Sequence, residues 1–166
     1  MLSESNLRPY QHIMIDHMVS TPKCAVWAEM GLGKTVATLT AIDRMMLAGL
    51  LDKPTLIVAP LRVARGVWPT EIHEWAHLCH LTIQPILGSQ TERIAALQTK
   101  ADMYTINFEN LEWLIGLLWD RWPFGMIVID EATKLKSLRA SVRKHPKTGT
   151  EFVSGKGGQR ALALLK

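Results

Sequence analysis

Cysteine is almost missing from this chain of 166 residues, which holds only Cys24 and Cys79. The two lie far apart in apolar surroundings, which excludes a disulfide framework and predicts reduced thiols in the core. Long hydrophobic runs are missing too. The longest apolar stretch, Val36 to Leu51, is interrupted by Asp43 and Arg44, so no membrane-spanning helix is expected. Met1 opens no basic-then-apolar leader, and the expected location is cytoplasmic. No internal repeat is visible. Acidic residues all but vanish near the C-terminus. Residues 134–166 carry nine Lys/Arg and only Glu151, a balance of +8, whereas residues 1–133 carry 10 Lys/Arg against 14 Asp/Glu, a balance of −4.

What is present fits one domain with a sizeable core over residues 1–166, the polar and basic stretch 134–158 being a loop insertion. That stretch is either a solvated loop or a surface offered to a polyanion, most simply nucleic acid. Its Lys134, Lys136, Arg139, Arg143, Lys144 and Lys147 could contact DNA or a protein partner.

Periodicity alternates between strand and helix. Helical spacing of Tyr10, Ile13, Met14, His17 and Met18 closes at Ser20-Thr-Pro22, and Cys24 to Trp27 reads as a short apolar strand. A helix follows from about Lys34 to Ala48, stopped by Gly49, and then the strand Thr55 to Ala59, whose unbroken apolar run predicts cover on both faces. Val63 to Leu78 is helical with a kink or fresh start at Pro69, Thr82 to Leu87 a strand, and Gln90 to Gln98 a helix. Ala101 to Ile106 is a strand, Phe108 to Leu118 a helix capped by Asn107, and Phe124 to Ile129 a strand ending in Asp130-Glu131. Gln159 to Lys166 begins a further helix, and Trp113, Trp119 and Trp122 read as core. The class is α/β, a mainly parallel sheet with helices on both faces and ligands where strands end.

The chemistry concentrates in Ala28-Glu-Met-Gly-Leu-Gly-Lys-Thr35. Between a buried strand and a helix, this stretch reads as a phosphate-binding loop one position short of G-x-x-x-x-G-K-[ST], because Ala28 stands for the first Gly. Gly31 and Gly33 let successive N–H groups aim at one anion, and the helix start adds its positive end. Met30, Gly31, Leu32, Gly33, Lys34 and Thr35 would hold the nucleotide phosphates, Lys34 reaching the β- and γ-phosphates and the Thr35 hydroxyl ligating Mg²⁺. About 95 residues on, Asp130 would bind Mg²⁺ and Glu131 orient or deprotonate the attacking water.

These motifs resemble the first RecA-like lobe of a superfamily 2 helicase, of the Swi/Snf-type branch of double-stranded DNA translocases. Glu29 to Thr35 is similar to motif I, Thr55 to Leu61 with Trp68, Glu71 and Trp75 to motif Ia and its helix, and Asp130 to Lys136 to motif II. Thr105-Ile-Asn-Phe-Glu109 takes the place of a motif facing the DNA backbone, and Leu7 to Gln11 that of the adenine-reading segment, with Gln11 on the base edge. The resemblance implies an ATP- and Mg²⁺-binding lobe, with Arg62, Arg65 and Asn107 on the nucleic-acid side. Ala28 stands for the usual Asp, and Thr133 for a His that couples the nucleotide site to the next motif. The second lobe, with its arginine finger, is not in the sequence; such arginines contribute roughly 10³–10⁵ in rate, so weak hydrolysis is expected of this chain alone.

Two further readings stay open. A single lobe could act as an interaction or regulatory protein, by occupancy rather than turnover. His73-Glu-Trp-Ala-His77 also satisfies H-E-x-x-H, the spacing of a zinc hydrolase if both histidines share one helix face, although the helix after motif Ia accounts for the same residues. DNA and RNA are not distinguished.

Overall fold

A computed structural model describes residues 1–132 and, beyond them, the strands at 141–144 and 151–154. The centre is strand β1, Thr55–Ala59, in which every residue is buried. It pairs in parallel with β3, Met103–Asn107, on one side and with β4, Met126–Ile129, on the other; β2, Ile83–Pro85, adds to β3, giving the order β2-β3-β1-β4.

The continuous apolar run of β1 is explained by its two faces. Side chains alternate along a strand. Ile57 and Ala59 therefore enter one core, with Ile15, Leu39, Ile42 and Ile72, while Leu56 and Val58 enter a second, with Ile106, Leu111 and Leu114. Helices α1 (Pro9–Ser20), α2 (Lys34–Leu47) and α3 (Trp68–Glu74) supply the first core; α4 (Gln90–Gln98) and α5 (Phe108–Leu118) supply the second. Arg44 on α2 ties α1 in place by bonding Asp16 at 3.2 Å and Glu4 at 2.8 Å.

Helix boundaries follow local chemistry. Ser89 and Glu92 cap α4 reciprocally, the Ser89 backbone N–H and hydroxyl each donating to the Glu92 carboxylate at 2.6 Å. Gly49, at φ 69°, ends α2 in the left-handed region that a side chain disfavours. Pro69 sits in the first turn of α3, where its missing N–H costs no bond, after a π-helical turn at Val63–Val67. The backbone stays helical from 61 to 74, so Pro69 marks neither a break nor a fresh start but the point where the π-helical turn passes into α3.

Several expectations are corrected. Cys24 to Trp27 forms no strand: the segment is extended but unladdered and Trp27 is 82% exposed. Apolar residues supply strand propensity, but a ladder needs a neighbour, and among the described residues β4 is bonded only to β1. Cys24 and Cys79 are free thiols at the surface rather than in the core. Trp119 is exposed, turned outward at φ 28° where α5 ends, whereas Trp113 and Trp122 pack against the second core. Within the basic stretch, β5 (Ser141–Lys144) and β6 (Glu151–Ser154) pair antiparallel, so those residues are not loop. The helix expected over Gln159 to Lys166 lies outside the described residues. No helix among the described residues is long and apolar enough to cross a membrane.

Ile57, fully buried between sheet and helices, tests this layering. Ile57→Ala should lower the unfolding free energy by about 2–5 kcal/mol. Ile13→Ala, at a position 71% exposed on α1, should change it by less than ~0.5 kcal/mol. Urea unfolding followed by circular dichroism reads both; equal losses would refute the assignment of faces.

Candidate nucleotide site

Parallel pairing puts the C-terminal ends of β1 and β4 side by side, and the Asp130 N–H donates to the Val58 carbonyl at 2.8 Å. Asp130 and Glu131 thereby reach the rim where α2 begins. A cavity of about 460 Å³ opens there, and Ala28, Lys34, Thr35, Asp130 and Glu131 all line it. The structure thus brings together the two motifs that the sequence separates by about 95 residues.

The loop before α2 has the backbone its glycines allow. Gly31 lies at φ 81° and Gly33 at φ 67°, both in the region that L side chains avoid. Gly33 is constrained twice, since a Cβ there would stand 2.1 Å from Gln11 Nε2. Gln11 is buried against the loop: its amide donates to the Leu32 carbonyl at 3.3 Å, and its Oε1 accepts the Arg8 N–H at 2.8 Å. In this structure Gln11 supports the loop from behind. The Lys34 ammonium folds back to donate to the Ala28 and Glu29 carbonyls at 2.9 and 2.7 Å. Met30 stands at the tip, 94% exposed.

Across the cavity, Glu131 has φ 58°, unusual for a residue with a side chain. Backbone strain of this kind, roughly 1–3 kcal/mol, gathers at functional positions. Asp130 accepts a hydrogen bond from the buried Trp68 indole, Nε1 to Oδ2 at 3.1 Å. Sequence reasoning placed Trp68 only on the helix after motif Ia. A buried tryptophan that needs a partner for its N–H was the available signal, but the 62 residues between the two hid which partner it takes.

The remaining candidates lie elsewhere. Arg62 and Arg65 are exposed beside the end of β1. Asn107 occupies the N-cap of α5 but does not cap it with its side chain, which is buried, donating to Glu109 at 2.7 Å and accepting from Asn110 at 2.6 Å. Arg93 bonds Asn110 in turn and lies over the Trp113 ring. Lys134, Lys136 and Arg139 lie outside the described residues.

The H-E-x-x-H alternative loses its geometry. Helix α3 ends at Glu74 and Trp75 is extended, so His73 and His77 do not share a helix face. His77 Nε2 instead pairs with the Thr40 hydroxyl at 3.0 Å, and Trp75 packs inward with its indole on Glu71 at 3.1 Å. Among the described residues no group of three or more His, Cys, Asp or Glu is placed to hold a metal ion.

With this geometry in hand, comparison with known proteins is specific. The family model of the SNF2-related domain matches residues 10–150. The chain belongs to the SNF2-related domain family. It is 48% identical over 160 residues to putative protein p41 of Acyrthosiphon pisum secondary endosymbiont phage 1, covering 96% of this chain and 32% of that protein. It is 28% identical over 141 residues to the ISWI chromatin-remodeling complex ATPase ISW1 of Saccharomyces cerevisiae, covering 79% of this chain and 12% of the ATPase. Among solved structures, the Sulfolobus solfataricus SWI2/SNF2 ATPase core in complex with dsDNA superposes with a TM-score of 0.63 at 27% identity, covering 79% of this chain and 27% of that one. The fold is therefore the RecA-like α/β lobe of an Snf2-type ATPase. The chain spans about a third of the length of the phage relative and less of the others.

The His77 imidazole carries a pH dependence. Burial holds its pKa below the ordinary 6.5, outweighing Glu4 and Asp43, which push it up. Just below pH 6.5 the unfolded chain therefore binds more protons at this site than the folded chain, and stability falls as the pH drops. The melting temperature should decline from pH 7.5 to 5.5, and His77→Gln should flatten part of that decline; an unchanged slope in the variant would contradict it.

Proposed function

We propose that this chain is the Mg²⁺-ATP-binding lobe of an ATP-dependent nucleic-acid translocase, built to contact the backbone of double-stranded DNA. The observation that carries the proposal is the single cavity lined by Lys34 and Thr35 from one motif and by Asp130 and Glu131 from the other. Membership of the SNF2-related family supports it, as does the likeness to an ATPase core bound to dsDNA.

The residues present fit such a ligand. Gly31 and Gly33 give the loop the positive φ values that an anion-binding turn requires, and α2 begins directly behind them, its N-terminus suited to an anion. The Lys34 ammonium is satisfied by two carbonyls at the loop, and swinging to a phosphate would trade neutral acceptors for charged ones, which form stronger hydrogen bonds. Thr35 and Asp130 offer hard oxygen ligands of the kind Mg²⁺ takes. The bound ion supplies charge neutralisation for the phosphates. Glu131 would act on the water, and Gln11, from behind the loop, on the adenine edge.

Arg62 and Arg65 are exposed three and six residues beyond the end of β1, suited to phosphate contacts that position without reading sequence. Asn107 would contribute to that side through the network it makes with Glu109 and Asn110, and Lys134, Lys136 and Arg139 through the basic stretch that follows. In the two-lobe arrangement of the family, closure of a second lobe on ATP would supply the arginine and drive stepping. This chain alone is accordingly a binder and a slow hydrolase.

Titration calorimetry with Mg²⁺-ADP tests the reading on the 166-residue chain. The wild type should bind. Lys34→Ala removes charged hydrogen bonds of about 1.5–3 kcal/mol, so affinity should fall roughly tenfold to a hundredfold. Wild-type failure to bind would overturn the proposal. Turnover should be slow, and Glu131→Gln should abolish it while leaving nucleotide bound.

A further inference from the structure

We infer that Trp68 is a positioning residue for Asp130, holding the carboxylate that would bind Mg²⁺ in the orientation the ion needs. The inference rests on the nucleotide reading and adds to it a residue outside both nucleotide motifs.

Trp68 is 2% exposed, and its indole N–H is directed at Asp130 Oδ2 at 3.1 Å, on the wall of the same cavity. A buried indole can donate only this one bond, so a partner that left would strand it; the bond is therefore persistent. It occupies one carboxylate oxygen and leaves Oδ1 free of any hydrogen bond from the indole. Because Trp68 is packed in the first core with Ile57, Ala59, Ala64 and Ile72, its ring has little room to follow a wandering carboxylate. The constraint acts on Asp130, not on Trp68.

The base of Trp68 is equally fixed. The Ala64 carbonyl accepts the Thr105 hydroxyl at 2.7 Å, which pins the π-helical turn leading into α3 to β3, and the Ala64 N–H donates to the Pro60 carbonyl at 2.8 Å, closing the turn that follows β1. Hydrogen-bond partners of this kind orient metal-binding carboxylates, and their loss weakens metal binding by about 10–100-fold. Phenylalanine keeps most of the packing and removes only the donor.

The test is the ratio of ADP affinities measured with Mg²⁺ and with EDTA, by calorimetry on the 166-residue chain. In the wild type Mg²⁺ should tighten ADP; in Trp68→Phe that tightening should shrink by about tenfold, whereas Trp113→Phe, under Arg93 and away from the cavity, should keep it. A wild type that binds ADP, with the same Mg²⁺ ratio in Trp68→Phe, overturns the positioning role and leaves the nucleotide reading standing. A wild type that binds no ADP removes both. Should Trp68→Phe fail to fold, ¹⁵N–¹H spectra of the tryptophan indoles decide on folded protein. The Trp68 indole N–H should be protected from exchange in the wild type and lose that protection in Asp130→Ala, while the Trp75 indole keeps its own; unchanged Trp68 protection would equally overturn the inference.

Discussion

The parallel bond between β4 and β1 is the constraint on which the rest of this structure depends. Donation from Asp130 to Val58 fixes the height of β4 on the central strand, and so fixes where the sheet delivers its acidic pair. A slip of one residue would turn each side chain to the opposite face. Met126 and Val128 would then leave the first core and Ile129 the second, and Asp130 would move away from both Lys34 and Trp68. Core packing and site geometry are therefore held by the same register.

The loop that faces Asp130 is held differently. It has no ladder to lean on, since the residues before it are extended but unpaired among the described strands. Its support comes from behind, where Gln11 on α1 fills the space that a Cβ on Gly33 would need and bonds the Leu32 carbonyl. The Arg44 contact to Asp16 ties the helix bearing Gln11 to the helix that the loop begins, and its contact to Glu4 holds the turn before α1. Surface pairs of this kind contribute only about 0–1 kcal/mol each, so the burial of Ile15 and Met18 against α2, rather than charge, keeps Gln11 in place.

How much of this was legible in the sequence depended on the range of the determining interaction. Helix α4 was legible to the residue because Ser89 and Glu92 cap it within three positions, and β1 because five buried residues leave no polar alternative. Cys24 to Trp27 was misread for the opposite reason: apolar side chains signal a strand, but the partner that makes one is a long-range matter. The exposed Cys24 thiol follows from the same error, and the antiparallel pair at 141–144 and 151–154 was hidden by polar residues that carry no apolar periodicity. In the site, the loop and the acidic pair were recognisable as motifs. Their convergence on one cavity needed the fold, and so did the choice of Asp130, 62 residues away, as the partner of the Trp68 indole.

That bond also changes what the helix after β1 is for. By pattern, α3 is an amphipathic helix that seals the first core with Trp68 and Ile72. By geometry its first residue is polar chemistry turned inward, and the turn before it carries Arg62 and Arg65 on the outside. One short segment, anchored by Ala64 to β3, thus touches the acidic pair with one end and presents cations to solvent from the other.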